Sequence, residues 1–300
     1  MKPMQPVQAI QPVHRFPGLS TELLALLHSL AQADWQRPTA CAGWSVKDVC
    51  AHLLGGNLGR LASRREQFPC PGGADAALNT IYALWEQLPG ADGPFEGFDG
   101  LLAWINLRNA QWVQAARQLS EEELKLALQA TDQQLYEFFS SLPASSIAGP
   151  AVFWAGESQS YNWFDIAREY TEKWLHQQHI REALGQPVLH GREWLHPVLD
   201  TFLRALPHAY RFHSAPPGTA VVLSISGAAG GEWTLLRQDD AWALYSGQTS
   251  APAARIRLSD DLTWRLFTKG IQPEEARPAV EVAGDAALGE EILRVVAIMA

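Results

Sequence analysis

The apolar pattern of this chain changes period near Pro187, and that change limits the folds open to it. Before that point apolar residues recur at helical spacing in long blocks. Beyond residue 220 they come in short runs separated by Gly, Asp and Pro, the mark of strands and turns. The pattern predicts a two-domain α+β chain, with an all-helical domain over residues 1–187 and a small α+β domain over residues 188–300.

After an extended lead-in at 1–18, the spacing predicts a helix over 19–35 with Ser20 as N-cap. A second runs over 45–68, opened by the capping-box-like pair Ser45 and Asp48. A Gly-, Pro- and Ala-rich excursion at 69–98 holds one short helical piece near 76–88. Further helices follow over 101–119, over 120–142 with Ser120 and Glu123 at its start, and over 160–184, stopped by Gly185 and Pro187. The second part opens with a helix over 193–213 that contains Pro197 and Pro207. Strands are predicted at 220–226, 232–237, 241–245, 254–258 and 280–282. A short helix lies between Ser259 and Gly270, and a last helix capped by Asp285 runs to the C-terminus.

Composition excludes some partners. The formal net charge of the 300 residues is −9 and no Lys/Arg-rich run occurs, which argues against nucleic-acid binding by phosphate neutralisation. No stretch of about 18 apolar residues exists to span a membrane. The N-terminus does not read as a signal peptide. Three cysteines, at 41, 50 and 70, fit no zinc ribbon or CxxC motif. This odd, sparse count suits a reducing compartment, so a cytoplasmic protein is expected. Twelve tryptophans imply well-filled cores or an aromatic-lined pocket.

Two helices carry candidate chemistry. On the helix over 160–184, His176 projects about 40° from Glu172 and His179 about 20° to the other side. A carboxylate and an imidazole one turn apart can share a metal ion. The same face equally suits a solvated charged stripe, because Trp163, Ala167, Tyr170 and Trp174 lie opposite. On the second helix Gly55, Gly56 and Gly59 all project within about 60° of His52. Either another helix approaches closely there, or a pocket is left open beside His52, or the helix ends at Gly55-Gly56. Cys50 projects about 160° from His52 and reads as a core residue, and the cysteines are poor nucleophile candidates.

The stretch TACAGWSVKDVCAHLLGG resembles the second-helix signature of the DinB/YfiT-like metal-binding four-helix family, in its mycothiol-dependent maleylpyruvate isomerase branch. REYTEKWLHQQHIREALGQP resembles the fourth-helix signature, and the resemblance covers roughly residues 15–185. It implies a four-helix bundle in which His52, Glu172 and His176 hold a divalent metal. Zinc is usual in that branch, and nickel, iron or manganese suit the same donors. Relatives often carry an acidic residue where this chain has His179, which is then a further ligand, an outer partner or a substrate contact. Arg108 and Arg168 are candidates to hold an anionic substrate. The ending VEVAGDAALGEEILRVVAIM resembles the small sterol-carrier-like domain often attached in this family.

The implied function is activation of a low-molecular-weight thiol at the metal, for isomerisation or S-transfer on a small electrophile. A metal-dependent hydrolase using water fits the same ligands. A non-catalytic metal-containing carrier or sensor is the alternative of a different class. The expected partner is a small-molecule substrate, and the chain is expected to be a monomer or homodimer.

Overall fold

The structure is a computed structural model that describes residues 3–62, 76–88, 97–148 and 152–298. The predicted extension of the second helix to residue 68, Cys70 and half of the excursion lie outside the described residues. The chain forms two compact units. One comprises Pro12–Pro143 and Glu172–Val188, the other Met1–Gln11, Ala144–Thr171 and Leu189–Ala300. Among the described residues no helix is long and apolar enough to cross a membrane.

The first unit is helical. It contains α1 (Phe16–His28), α2 (Val46–Ala62), α3 (Ala76–Glu86), α4 (Gly97–Ala116), α5 (Glu121–Ser141) and the second half of α6 (Asn162–Ala183). α2 packs on α4 and α5, and α1 packs on α5. Leu27, Val46, Val49, Leu54, Leu58, Leu124 and Leu128 are buried at the centre. α5 opens on the predicted capping box of Ser120 and Glu123.

Both ends of α1 differ from the sequence reading, and α4 lies three to four residues N-terminal to the predicted 101–119. α1 begins at Phe16 because Pro17, with φ preset for a helix, sits in its first turn. It ends at His28, and Trp35 is buried in a separate 3-10 turn. Ser20 is therefore inside the helix, and its hydroxyl donates to Asp132 Oδ2 at 2.7 Å instead of capping.

α2 runs through Gly55-Gly56 to Ala62, so the glycines do not end it. Gly55 answers to a close approach. A Cβ there would meet Trp112 Cδ1 at 2.4 Å and Nε1 at 2.6 Å. The buried indole donates to the Ala51 carbonyl at 2.6 Å, which fixes α4 against α2.

A polar network crosses the interior of this unit. Lys173 donates to Asn57 Oδ1 at 2.6 Å and to Asp132 Oδ1 at 2.8 Å. Asn57 in turn donates to Asp132 Oδ1 and to Thr131 Oγ1, each at 2.8 Å. Lys173 and Asp132 side chains are only 11% and 9% exposed, so each charge depends on the other for compensation.

The start of α2 is held in the same manner. Ser45 N–H donates to Asp48 Oδ2, and Asp48 N–H donates back to Ser45 Oγ. Arg117 adds two hydrogen bonds to the Asp48 carboxylate. Burial raises the Asp48 carboxyl, but Arg117 and Ser45 outweigh it and hold it below the usual carboxylate value. A depressed native pKa contributes stability above the unfolded value of about 3.9 that is lost as pH falls through the native value. Asp48→Asn should therefore cost about 1 kcal/mol at pH 7, the usual worth of a helix cap. Urea unfolding should show the gap between wild type and variant closing below about pH 4; a gap that is constant with pH would rule out the charged contribution.

The second unit is built on a six-stranded sheet. Its strands are β1 (Gln5–Pro6), β2 (Ala220–Ser226), β3 (Gly231–Arg237), β4 (Trp242–Ser246), β5 (Ala254–Ser259) and β6 (Glu281–Gly284). The order is β1-β4-β3-β2-β5-β6. β2 and β5 are parallel and the other pairs antiparallel. β2 is buried along most of its length, which explains its unbroken apolar run. The predicted strands fall within two residues of these. β1 was not anticipated, because two residues carry no period.

The predicted helix over 193–213 is broken. α7 (Arg192–Phe202) gives way to a 3-10 turn, and Pro207 opens a new short helix, α8 (Leu206–Ala209). Proline lacks the N–H that a continuous helix needs at that point. Ser259 caps α9 (Asp260–Phe267) by accepting from Leu262 N–H at 3.1 Å. α10 (Pro273–Ala276) follows. Asp285 caps α11 (Ala286–Glu290), which passes into a 3-10 turn at Glu291–Arg294 and does not continue to the C-terminus as predicted.

Candidate metal centre

The candidate donors come from three segments of the helical unit. α2 supplies His52, α6 supplies Glu172, His176 and His179, and the loop before α2 supplies Cys41. One helical turn separates Glu172 from His176, so one rigid element presets their spacing. His52 Nε2 lies 2.9 Å from Glu172 Oε1, and His176 Nε2 lies 3.1 Å from the same oxygen. Both rings donate through Nε2 to one carboxylate oxygen. The three donor atoms lie within 4.8 Å of one another.

Tetrahedral zinc, at about 2.0–2.1 Å from nitrogen or oxygen, would hold neighbouring donors about 3.3 Å apart. The observed contacts are a few tenths of an ångström shorter, as befits hydrogen bonds between the same atoms. Two imidazoles and a carboxylate are a common donor set for such an ion. The residues therefore fit a divalent metal in both chemistry and spacing.

Burial is uneven around these groups. The His52 and His176 side chains are 11% and 13% exposed, whereas the Glu172 side chain is 45% exposed. The His52 ring lies 5.0 Å from the Trp44 ring and 4.5 Å from the His176 ring. Desolvation raises the Glu172 carboxyl, but charge from His176 and hydrogen bonds from His176 and His52 hold it well below the usual range. Desolvation lowers His176, and Glu172 and Cys41 outweigh it, raising its pKa to about 10.

The alternative of a solvated stripe on α6 does not hold. On that stripe the Asp165, Arg168 and His176 side chains are only 13%, 19% and 13% exposed, while Glu172 is 45% exposed. The opposite face, with Ala167, Tyr170 and Trp174, is buried.

Cys41 corrects the expectation that the cysteines are poor nucleophile candidates. Its Sγ lies 3.2 Å from His179 Nδ1 and 3.7 Å from His176 Nδ1. Burial raises the thiol, and hydrogen bonds from His176 and His179 outweigh it, lowering the pKa to about 6. Cys50 behaves as expected, fully buried in the core with its thiol pushed up by burial.

The structure places the remaining candidates as follows. His179 stands beside Cys41, with its ring 5.3 Å from that of His176. Arg108 stacks over the Trp85 ring at 4.9 Å. Arg168 pairs with Asp165 at 2.8 Å.

The sequence profile of the mycothiol maleylpyruvate isomerase N-terminal domain matches residues 16–181. The chain belongs to this family. The match takes in His52, Glu172, His176, His179 and Cys41. Among solved structures, the mycothiol-dependent maleylpyruvate isomerase is similar at 11% identity and a TM-score of 0.46, over 87% of this chain and 88% of that one. A mutant of that enzyme gives 10% identity and a TM-score of 0.47, over 93% and 95%. Sterol carrier protein 2 from Yarrowia lipolytica covers 46% of this chain and 91% of its own, at 16% identity and a TM-score of 0.22. No curated protein matches the chain in sequence.

Proposed function

We propose that this family member is an enzyme in which His52, Glu172 and His176 hold a divalent metal, zinc in the first instance. It would activate a low-molecular-weight thiol, or water, for isomerisation or S-transfer on a small electrophilic substrate. One observation carries the reading: the imidazoles of His52 and His176, from two helices, converge on a single oxygen of Glu172, which stands 120 residues from His52 in sequence.

A divalent ion held there lowers the pKa of a thiol or water that it binds, and so supplies a nucleophile near neutral pH. The rest of the work falls to side chains. Three protein donors leave room for a further ligand. Trp44 covers the His52 ring and restricts water beside it. Arg108 and Arg168 are our proposed contacts for an anionic substrate, and residues 188–300 our proposed sterol-carrier-like domain.

The test begins with metal content. The chain purified without chelator should carry close to one equivalent of metal. His52→Ala and His176→Ala should each weaken retention on the order of 100-fold or more, since outer partners alone cost 10–100-fold. Undiminished metal in both variants would overturn the ligand assignment. The loaded chain is then given mycothiol, bacillithiol or glutathione with electrophilic acceptors such as maleylpyruvate. Metal-dependent turnover supports the enzyme, whereas binding of thiol or acceptor without turnover replaces it with a carrier.

A further inference from the structure

A second group of donors stands beside the first and shares His176 with it; its other two members, Cys41 and His179, play no part in the function proposed above. Cys41 Sγ, His176 Nδ1 and His179 Nδ1 lie within 4.8 Å of one another. A tetrahedral ion at about 2.3 Å from sulfur and about 2.0–2.1 Å from nitrogen would hold sulfur and nitrogen about 3.6 Å apart. The observed separations of 3.2 and 3.7 Å bracket that value.

The sulfur is held where it is by its loop. Thr39 N–H donates to the Trp44 carbonyl at 3.0 Å, and Trp44 N–H donates to the Cys41 carbonyl at 3.0 Å. The Thr39 hydroxyl donates to the Trp44 carbonyl at 2.9 Å and accepts from Cys41 N–H at 3.2 Å. Gly43, at φ +77°, supplies the left-handed residue that closes the turn. The nitrogens are equally fixed, because His176 and His179 stand three residues apart on α6.

We propose that Cys41, His176 and His179 form a second, sulfur-containing metal-binding set that takes a zinc-class divalent ion. Its donors are one thiolate and two imidazoles, a softer combination than the carboxylate set, and it favours borderline-soft ions such as zinc and cobalt(II). His176 belongs to both sets through opposite ring nitrogens, Nε2 towards Glu172 and Nδ1 towards Cys41. A neutral imidazole offers one lone pair. Filling both sets at once would require the ring to lose its last proton, so the two sets compete for His176. Disabling the carboxylate set should then leave the sulfur set with undivided use of that ring.

The probe is cobalt(II) alone, titrated into the metal-free full-length chain and read by the near-ultraviolet thiolate-to-cobalt charge-transfer band. His52→Ala, although it holds metal more weakly overall, should show this band at full strength once cobalt is saturating. Glu172→Gln, a smaller change, should do the same and covers the case in which His52→Ala fails to fold. Adding Cys41→Ser to either background should abolish the band. Adding His179→Ala should weaken cobalt binding on the order of 100-fold, at least what loss of an outer-shell partner costs. The proposal is overturned when folded Glu172→Gln binds cobalt without the band, binds none, or keeps the band after Cys41→Ser. The single variant Cys41→Ser reports on the carboxylate set alone. Its failure to bind cobalt sinks the reading of His52, Glu172 and His176 and leaves this one standing.

Discussion

Asp132→Ala should lower the unfolding free energy by about 3–5 kcal/mol, the cost of leaving one partner of a buried ion pair uncompensated. The loss is large because Asp132 Oδ1 receives two donors, Lys173 Nζ and Asn57 Nδ2, in an interior where neither finds water readily. The same carboxylate accepts from Ser20 through its other oxygen, so α1, α2, α5 and α6 all lose a connection at once. Against a total stability of about 5–15 kcal/mol this is a major fraction. Lys173→Met alone should also destabilise, by leaving the carboxylate without its cation. The double variant Asp132→Ala with Lys173→Met should be less destabilised than the sum of its parts by at least about 0.5 kcal/mol, since coupled sites are not additive. Urea unfolding midpoints measure all of these. A loss under about 1 kcal/mol in Asp132→Ala would mean that the network contributes little.

The second large effect falls on a glycine. Gly55→Ala improves helix propensity by about 1 kcal/mol, and in an ordinary helix interior it would stabilise. Here the new methyl would sit 2.4 Å from Trp112 Cδ1 and 2.6 Å from Nε1, too close for any real contact. The indole is fully buried, packs edge-on against Trp85 at 5.2 Å, and cannot withdraw without giving up its bond to the Ala51 carbonyl. Overpacking costs about 1–3 kcal/mol, and an orphaned buried donor about 1–3 kcal/mol more. The net expectation is a loss of about 3 kcal/mol after the propensity gain. Gly59→Ala is the matched control. Its methyl would meet Trp85 at 3.5 Å, an ordinary contact, and the substitution should stabilise by up to about 1 kcal/mol. Denaturant midpoints moving the same way for both variants would sink the steric account.

These contrasts show which parts of the molecule could be read in the sequence. The α+β class and the strands were legible because apolar runs bounded by Gly, Asp and Pro report burial directly. The capping pairs at Ser45 and Ser120 were legible because a cap is a local object, complete within four residues. Glycines on one side of α2 were visible, but the partner that required Gly55 was not, since Trp112 lies on a different helix. α6 was harder. Its charged residues follow the period of a solvated stripe, yet the Asp165, Arg168 and His176 side chains on that stripe are mostly covered, and Gln178 is buried with its amide bonded to the Trp174 carbonyl. His52, Glu172 and His176 were singled out by resemblance to a family, not by periodicity. Cys41 was missed because helical projection says nothing of a loop. Only the turn closed by Thr39, Gly43 and Trp44 brings its sulfur back over α6.

The helical unit is written in two pieces of chain, and this orders events during synthesis. Residues 12–143 emerge first, and Glu172–Val188 follow only after residues 144–171, which belong to the other unit. At about 5–20 residues per second, the 45 residues from 144 to 188 take roughly 2–9 s. Through that interval the nascent chain holds Cys41 and His52 without Glu172, His176 or His179, and holds Asn57 and Asp132 without Lys173. Neither donor set can capture an ion from the cell before the second piece arrives. The last segment of the helical unit to be made is thus the one that brings three of the five candidate metal donors and the cation that neutralises its interior.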